Sequence, residues 1–194
     1  MSQIGIKDNS GKGYGAQVDV NNRLHTRSIS VSQQHAVSDV DEEAYQFIST
    51  KAITNSEVKL LLIKNTSDTK NLVITQVRLE TIGAAASNAS ALWKMYLGGD
   101  YASGGTAATP VNMKVGSAIT ASGSFYDATA STIVTSGSPL EIDRSYQANT
   151  YVEYNGDGAI VLPKNGVLTI SFTGSTVAGT SSARVAFFYD EPET

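Results

Sequence analysis

Leu72-Val73-Ile74-Thr75-Gln76-Val77-Arg78-Leu79-Glu80-Thr81-Ile82 is the most regular alternation in this chain of 194 residues. An extended strand sends successive side chains to opposite faces, so alternation of apolar and polar residues marks one face for a core and one for water. Val73, Val77 and Leu79 mark the core face, and the flanking Thr and Arg positions mark the wet one.

Upstream, Glu57 to Thr66 reads as a second strand, and its run Leu60-Leu61-Leu62-Ile63 predicts burial on both faces. Ser67-Asp68-Thr69-Lys70-Asn71 between the two is rich in turn formers and predicts a hairpin connection. Further strands are expected at 45–49, 91–97, 111–115, 140–143, 150–154, 159–162, 167–173 and 183–189. Asn155-Gly156-Asp157-Gly158 reads as a turn, and Leu168, Ile170 and Phe172 share one face of their strand. Trp93 reads as a core residue. The stretch 99–139 carries only Asp100, Lys114 and Asp127 as charges and reads as long surface loops with short strands.

No segment sustains a helical period beyond two turns. About eight to ten strands joined by turn signals predict an all-β protein, a β-sandwich. The long middle loops favour a jelly roll over an immunoglobulin-type fold, and there is no Cys–Trp–Cys set. No fixed-period repeat is present, which argues against propellers and solenoids.

Composition narrows the classes of function. Hydrophobic residues make up 41%, enough for a core, whereas charged residues make up only 16%, against about a quarter in ordinary globular chains. A net charge of −4 argues against nucleic acid as a partner, since phosphate binding needs many Lys and Arg. No cysteine is present, so disulfides and thiolate metal sites are excluded. No apolar run approaches the ~20 residues that span a bilayer, and a membrane is not expected as a partner. The opening Met-Ser-Gln-Ile-Gly-Ile-Lys-Asp has neither the basic start nor the apolar stretch of a secretion signal.

Ahead of the strand-rich body, residues 1–36 are expected to form an extended arm and residues 37–194 the sandwich domain, with the acidic run Asp39-Val40-Asp41-Glu42-Glu43 at their junction. Within the arm, Ala16-Val18-Val20 and Leu24 to Val31 alternate on either side of Asn21-Asn22, a pair that tolerates a tight turn. So little apolar surface cannot fold by itself, and the segment is expected to gain order on a neighbouring subunit or a larger assembly.

The pattern Gly11-Lys12-Gly13-Tyr14-Gly15-Ala16-Gln17-Val18-Asp19-Val20-Asn21-Asn22-Arg23-Leu24-His25-Thr26, followed by a β-rich body, resembles the openings of structural proteins from tailed bacteriophage particles. The resemblance is clearest over 11–31 and continues loosely through 57–66. It implies a virion component, made in the host cytoplasm, that decorates or cements the head, with the major capsid protein or other virion proteins as partners. Self-assembly as a homo-oligomer, a trimer by analogy with capsid three-fold positions, is implied with it. Tyr14, Val18, Arg23, Leu24 and Arg27 would carry the docking, the arginines through forked hydrogen bonds to carboxylates. A tail or baseplate component would share this architecture.

Catalysis has no motif behind it: there is no Gly-x-Ser-x-Gly elbow, His-Glu-x-x-His pair or phosphate-binding Gly-x-x-x-x-Gly-Lys, and the chain is expected not to be an enzyme. Glu80, Glu141, Asp143 and Glu153 could be paired as glycosidase carboxylates, but every β-rich chain offers such pairs. His25 and His35 have no further ligands at a suitable spacing, and Asp39, Asp41, Glu42 and Glu43 lack the glycine-bearing loop of a calcium site. Neither metal nor cofactor is expected. Tyr101 and Tyr126, in the low-charge stretch, could stack on sugar rings of a host glycan; the plainer reading sets them in a core or subunit contact.

Overall fold

A computed structural model describes residues 5–7, 13–15, 37–83, 89–148, 150–175 and 178–191. The chain divides into two units, Met1–Ser32 and Gln33–Thr194. In the first, β1 (Gly5–Lys7) and β2 (Gly13–Gly15) pair antiparallel with Ile6 opposite Tyr14.

The second unit opens with a π-helical turn, Val37–Asp41. Its strands follow in order: β3 (Ala44–Ala52), β4 (Val58–Asn65), β5 (Asn71–Gly83), β6 (Ser90–Leu97), β7 (Asp100–Ser103), β8 (Thr106–Ala107), β9 (Val111–Asn112), β10 (Gly123–Asp127), β11 (Val134–Ser136), β12 (Leu140–Ala148), β13 (Tyr151–Leu162), β14 (Val167–Gly174) and β15 (Gly179–Asp190). All pairings are antiparallel. A five-stranded sheet runs β13-β5-β15-β3-β9, a six-stranded sheet runs β12-β6-β14-β4-β10-β8, and β11 and β7 form a two-stranded sheet. The eight long strands pair in a nested order: β3 with β15, β4 with β14, β5 with β13 and β6 with β12. The protein is all-β and sandwich-like, as its alternating patterns predict.

The two large sheets face each other across one core. Tyr45 stacks on Phe187 at 5.5 Å within the five-stranded sheet. Phe187 then meets Phe125 of the opposite sheet at 5.5 Å, and Phe125 meets Phe47 at 5.7 Å. Trp93 is fully buried, and its Nε1–H donates to Thr81 Oγ1 of the facing sheet at 3.2 Å. Leu60 to Ile63 are all at 0% exposure, in keeping with the two-faced burial their run predicts.

Three expectations are corrected. Residues 67–71 do not join a hairpin, because β4 belongs to the six-stranded sheet and β5 to the five-stranded one. Turn chemistry reverses a chain without specifying which sheet receives it. Here the buried Asn65 holds the crossing: its Nδ2 donates to Lys70 O at 2.9 Å and Leu162 O at 2.8 Å, and its Oδ1 accepts from Ser67 N at 2.9 Å.

Val73 does not share a face with Val77 and Leu79. Ile74 lies opposite Phe187 and Gln76 opposite Ala186, which leaves Thr75 as an extra residue in the ladder. A bulge of one residue reverses the facing of everything beyond it. Leu72 and Ile74 therefore join the main core, while Val73 packs with Val37, Ala44 and Phe188 on the opposite face.

Residues 155–158 are not a turn between strands either. They lie within β13, whose register steps from Asn155 opposite Gln76 to Ile160 opposite Ile74. The glycines that suggested a turn also suit a wide bulge.

Candidate functional site

The register of the six-stranded sheet sets residues side by side on its outer face. Tyr126 of β10 lies opposite Leu62 of β4, Leu62 opposite Thr169 of β14, Thr169 opposite Tyr96 of β6, and Tyr96 opposite Glu141 of β12. A second row runs Lys59, Ser171, Lys94 and Arg144. An outer sheet face is ordinarily wet, yet Leu62 and Thr169 are at 0% and 1% exposure. The stretch 99–139 supplies the cover. Lys59 Nζ donates to Thr135 Oγ1 of β11 at 2.5 Å, Lys64 pairs with Asp100 of β7 at 2.9 Å, and Ala128 N donates to Leu60 O at 2.9 Å.

Beside this cover lies a cleft of about 210 Å³ lined by Glu57, Lys59, Tyr96, Thr135, Pro139 and Thr169. Glu57 Oε1 accepts from the Ser171 hydroxyl at 2.7 Å and the Tyr96 hydroxyl at 3.0 Å. Its Oε2 lies 3.8 Å from Lys94 Nζ, which in turn is 3.9 Å from Glu141 Oε2. Burial alone would raise the Glu57 carboxyl, but the hydrogen bonds from Ser171 and Tyr96 and the charges of Lys94 and Lys59 outweigh it and hold the group below its ordinary range. The Tyr96 phenol moves up, through burial and through donating to Glu57. Thr169 Oγ1 is buried with no hydrogen-bond partner among the described residues, a condition that costs a buried hydroxyl about 1–3 kcal/mol.

Comparison with known proteins finds no family model that matches the chain and no curated protein that matches it.

The chemistry therefore has to be read from the cleft itself. An ionised Glu57 is an acceptor of hydrogen bonds, whereas a glycosidase acid needs its carboxyl raised toward neutrality. Lys59 and the hydroxyls of Thr135 and Thr169 supply the donors, the Tyr96 hydroxyl having spent its proton on Glu57. The arrangement suits holding a polar ligand.

The other residues singled out from sequence fall elsewhere. Tyr14 sits in β2, and Val18, Arg23, Leu24, Arg27, His25 and His35 lie outside the described residues. Tyr101 and Tyr126 are half-buried and stacked on each other against the core. Glu42 pairs with Lys114 at 3.1 Å and Glu43 with Lys70 at 2.5 Å. Among the described residues no group of three or more His, Cys, Asp or Glu is placed to hold a metal ion, and no helix is long and apolar enough to cross a membrane. Glu80 and Glu153 sit on the five-stranded sheet, Glu141 and Asp143 on the six-stranded one. Sequence reasoning passed over Lys59, Thr135 and Thr169. Their only signal was outward polarity on strands, which every solvated face shares.

Proposed function

We propose that the chain is a non-enzymatic structural component of a tailed-phage particle, a head decoration or cement protein with a jelly-roll body. The observation that carries this reading is the nested pairing of the eight long strands across two sheets, the arrangement by which a jelly roll wraps its chain. It joins the phage-like opening of residues 11–31. Residues 1–36 dock on the major capsid protein or another virion protein through Tyr14, Val18, Arg23, Leu24 and Arg27. A short segment with little core of its own gains stability by adding hydrogen bonds to a neighbour.

The body assembles with copies of itself, as a trimer on capsid three-fold positions. Leu140 and Tyr146, 69% and 68% exposed on β12 at one end of the six-stranded sheet, support self-association. Repetition then raises avidity without a tight single contact.

The test is gold-labelled antibody imaging of virions purified from the source lysate, together with deletion of residues 1–36. Label spread over the head, lost on deletion while the body stays folded, supports the reading. Label on the tail alone transfers the same architecture to a tail or baseplate role, and absence of label overturns the virion reading.

A host-attachment module that uses Tyr101 and Tyr126 to hold a glycan is a second reading. The two rings already use one face each on the other, which speaks for their packing role.

A further inference from the structure

We propose that the cleft lined by Glu57, Lys59, Tyr96, Thr135, Pro139 and Thr169 is a binding site for a single neutral sugar ring. The inference stands apart from where the protein sits in a particle and from the Tyr101–Tyr126 pair.

Charge narrows the ligand first. Glu57 and Lys59 are the charged residues of the lining, and they are of opposite sign. The cleft is therefore balanced, and an anion or a cation would meet as much repulsion as attraction. A neutral polyhydroxyl ligand meets neither.

Hydrogen-bonding capacity points the same way. A sugar hydroxyl both donates and accepts, so it suits a wall that mixes a pure acceptor, a pure donor and hydroxyls. Glu57 offers Oε2, whose neighbour Lys94 is 3.8 Å away, beyond hydrogen-bond range. The Lys59 ammonium has three protons and spends one on Thr135 Oγ1. Thr169 lines the cleft, and its hydroxyl is buried with no partner among the described residues. The inference assigns that partner to a hydroxyl of a ligand held in the cleft. Tyr96 and Pro139 add apolar surface for the C–H face of a pyranose.

Size sets the limit. A volume of about 210 Å³ accommodates one ring, below the roughly 300–1,000 Å³ of sites for larger ligands. The site reads one residue of a glycan, with affinity in the millimolar range.

The experiment is a titration of the isotope-labelled full chain with the methyl glycosides of glucose, galactose, mannose and N-acetylglucosamine, followed by amide chemical shifts. Inorganic phosphate and acetate serve as charged comparators. The expected result is saturable shifts for at least one glycoside, concentrated at Glu57, Lys59, Tyr96, Thr135 and Thr169. Lys59→Met and Tyr96→Ala should each weaken binding roughly tenfold. Thr169→Val keeps the side-chain shape, should leave the thermal midpoint unchanged or raised, and should still weaken the glycoside. Tyr151→Ala, on the five-stranded sheet, should change nothing. Shifts with phosphate or acetate alone, no response to any glycoside, or glycoside binding that Thr169→Val and Lys59→Met leave intact would overturn the proposal.

Discussion

Tyr101 lies flat on Tyr126, with ring centroids 3.8 Å apart and planes 4° from parallel. Tyr101 belongs to β7 and Tyr126 to β10, so the stack fastens the β7–β11 pair to the six-stranded sheet. The Tyr101 hydroxyl adds a hydrogen bond to Gly104 O at 2.9 Å.

Tyr101→Ala should lower stability by about 2 kcal/mol, since it removes a half-buried ring and a stacked pair. Tyr101→Phe should cost about 1 kcal/mol, the hydroxyl alone. Denaturant midpoints of the two variants check the order; equal losses would place the effect in the hydroxyl and not in the stack.

Gly104 has a φ of +74°, and a Cβ there would meet Thr132 O at 2.1 Å. Because the obstacle is backbone, Gly104→Ala should destabilise by more than about 2 kcal/mol. A thermal midpoint equal to that of the parent would show that the β7 turn can shift freely.

Asn65 should be the costliest polar position in the body. Asn65→Ala strands the carbonyls of Lys70 and Leu162 and the amide of Ser67, for a loss of about 3 kcal/mol or more. Asn65→Asp should be worse at neutral pH, because it sets a carboxylate against two carbonyls in a buried place. Urea unfolding of both variants decides it, and an aspartate variant as stable as the parent would contradict the donor role.

Acid should weaken the protein partly through Glu57. Its folded pKa lies below the ordinary 4.5, so the stabilisation it gives is present above that value and lost as pH falls through the folded one. Glu42, Asp68 and Asp100 are also held low, chiefly by hydrogen bonds from Ser117, Lys164 and Lys64 respectively. Glu57→Gln should therefore flatten the acid limb of a stability–pH curve without abolishing it. An unchanged slope would mean that the Ser171 and Tyr96 contacts do not persist in solution.

At the alkaline end, burial and the nearby Glu43 carboxylate push the Tyr45 phenol from 10.0 up to about 12, and burial raises Tyr189 as well. A raised folded value means full stabilisation below pH 10, lost as pH climbs through the folded value. Tyr189 Oη is buried with no hydrogen-bond partner among the described residues. Tyr189→Phe should thus be neutral or stabilising at neutral pH and should move alkaline unfolding to higher pH, as read by tyrosinate absorbance alongside circular dichroism.

Strand existence was legible in the sequence because it rests on local properties. The period-two alternation of 72–82, the apolar run 60–63 and the alternation of 167–173 each name a strand without reference to any partner. The all-β class followed, as did the burial of Trp93. The facing of Val73, the destination of the chain after Asn65 and the strand identity of 155–158 did not follow, because each depends on register against another strand. Thr75 is an extra residue only with respect to β15, and one such residue reverses a face. The cleft is further still from local reading: Lys59, Thr135 and Thr169 become neighbours only because β4 pairs with β14 and the β7–β11 pair closes over them. Local pattern determines which residues extend, whereas pairing between distant segments determines which of them meet, since a hydrogen-bonded ladder carries its geometry across strands and not along the chain.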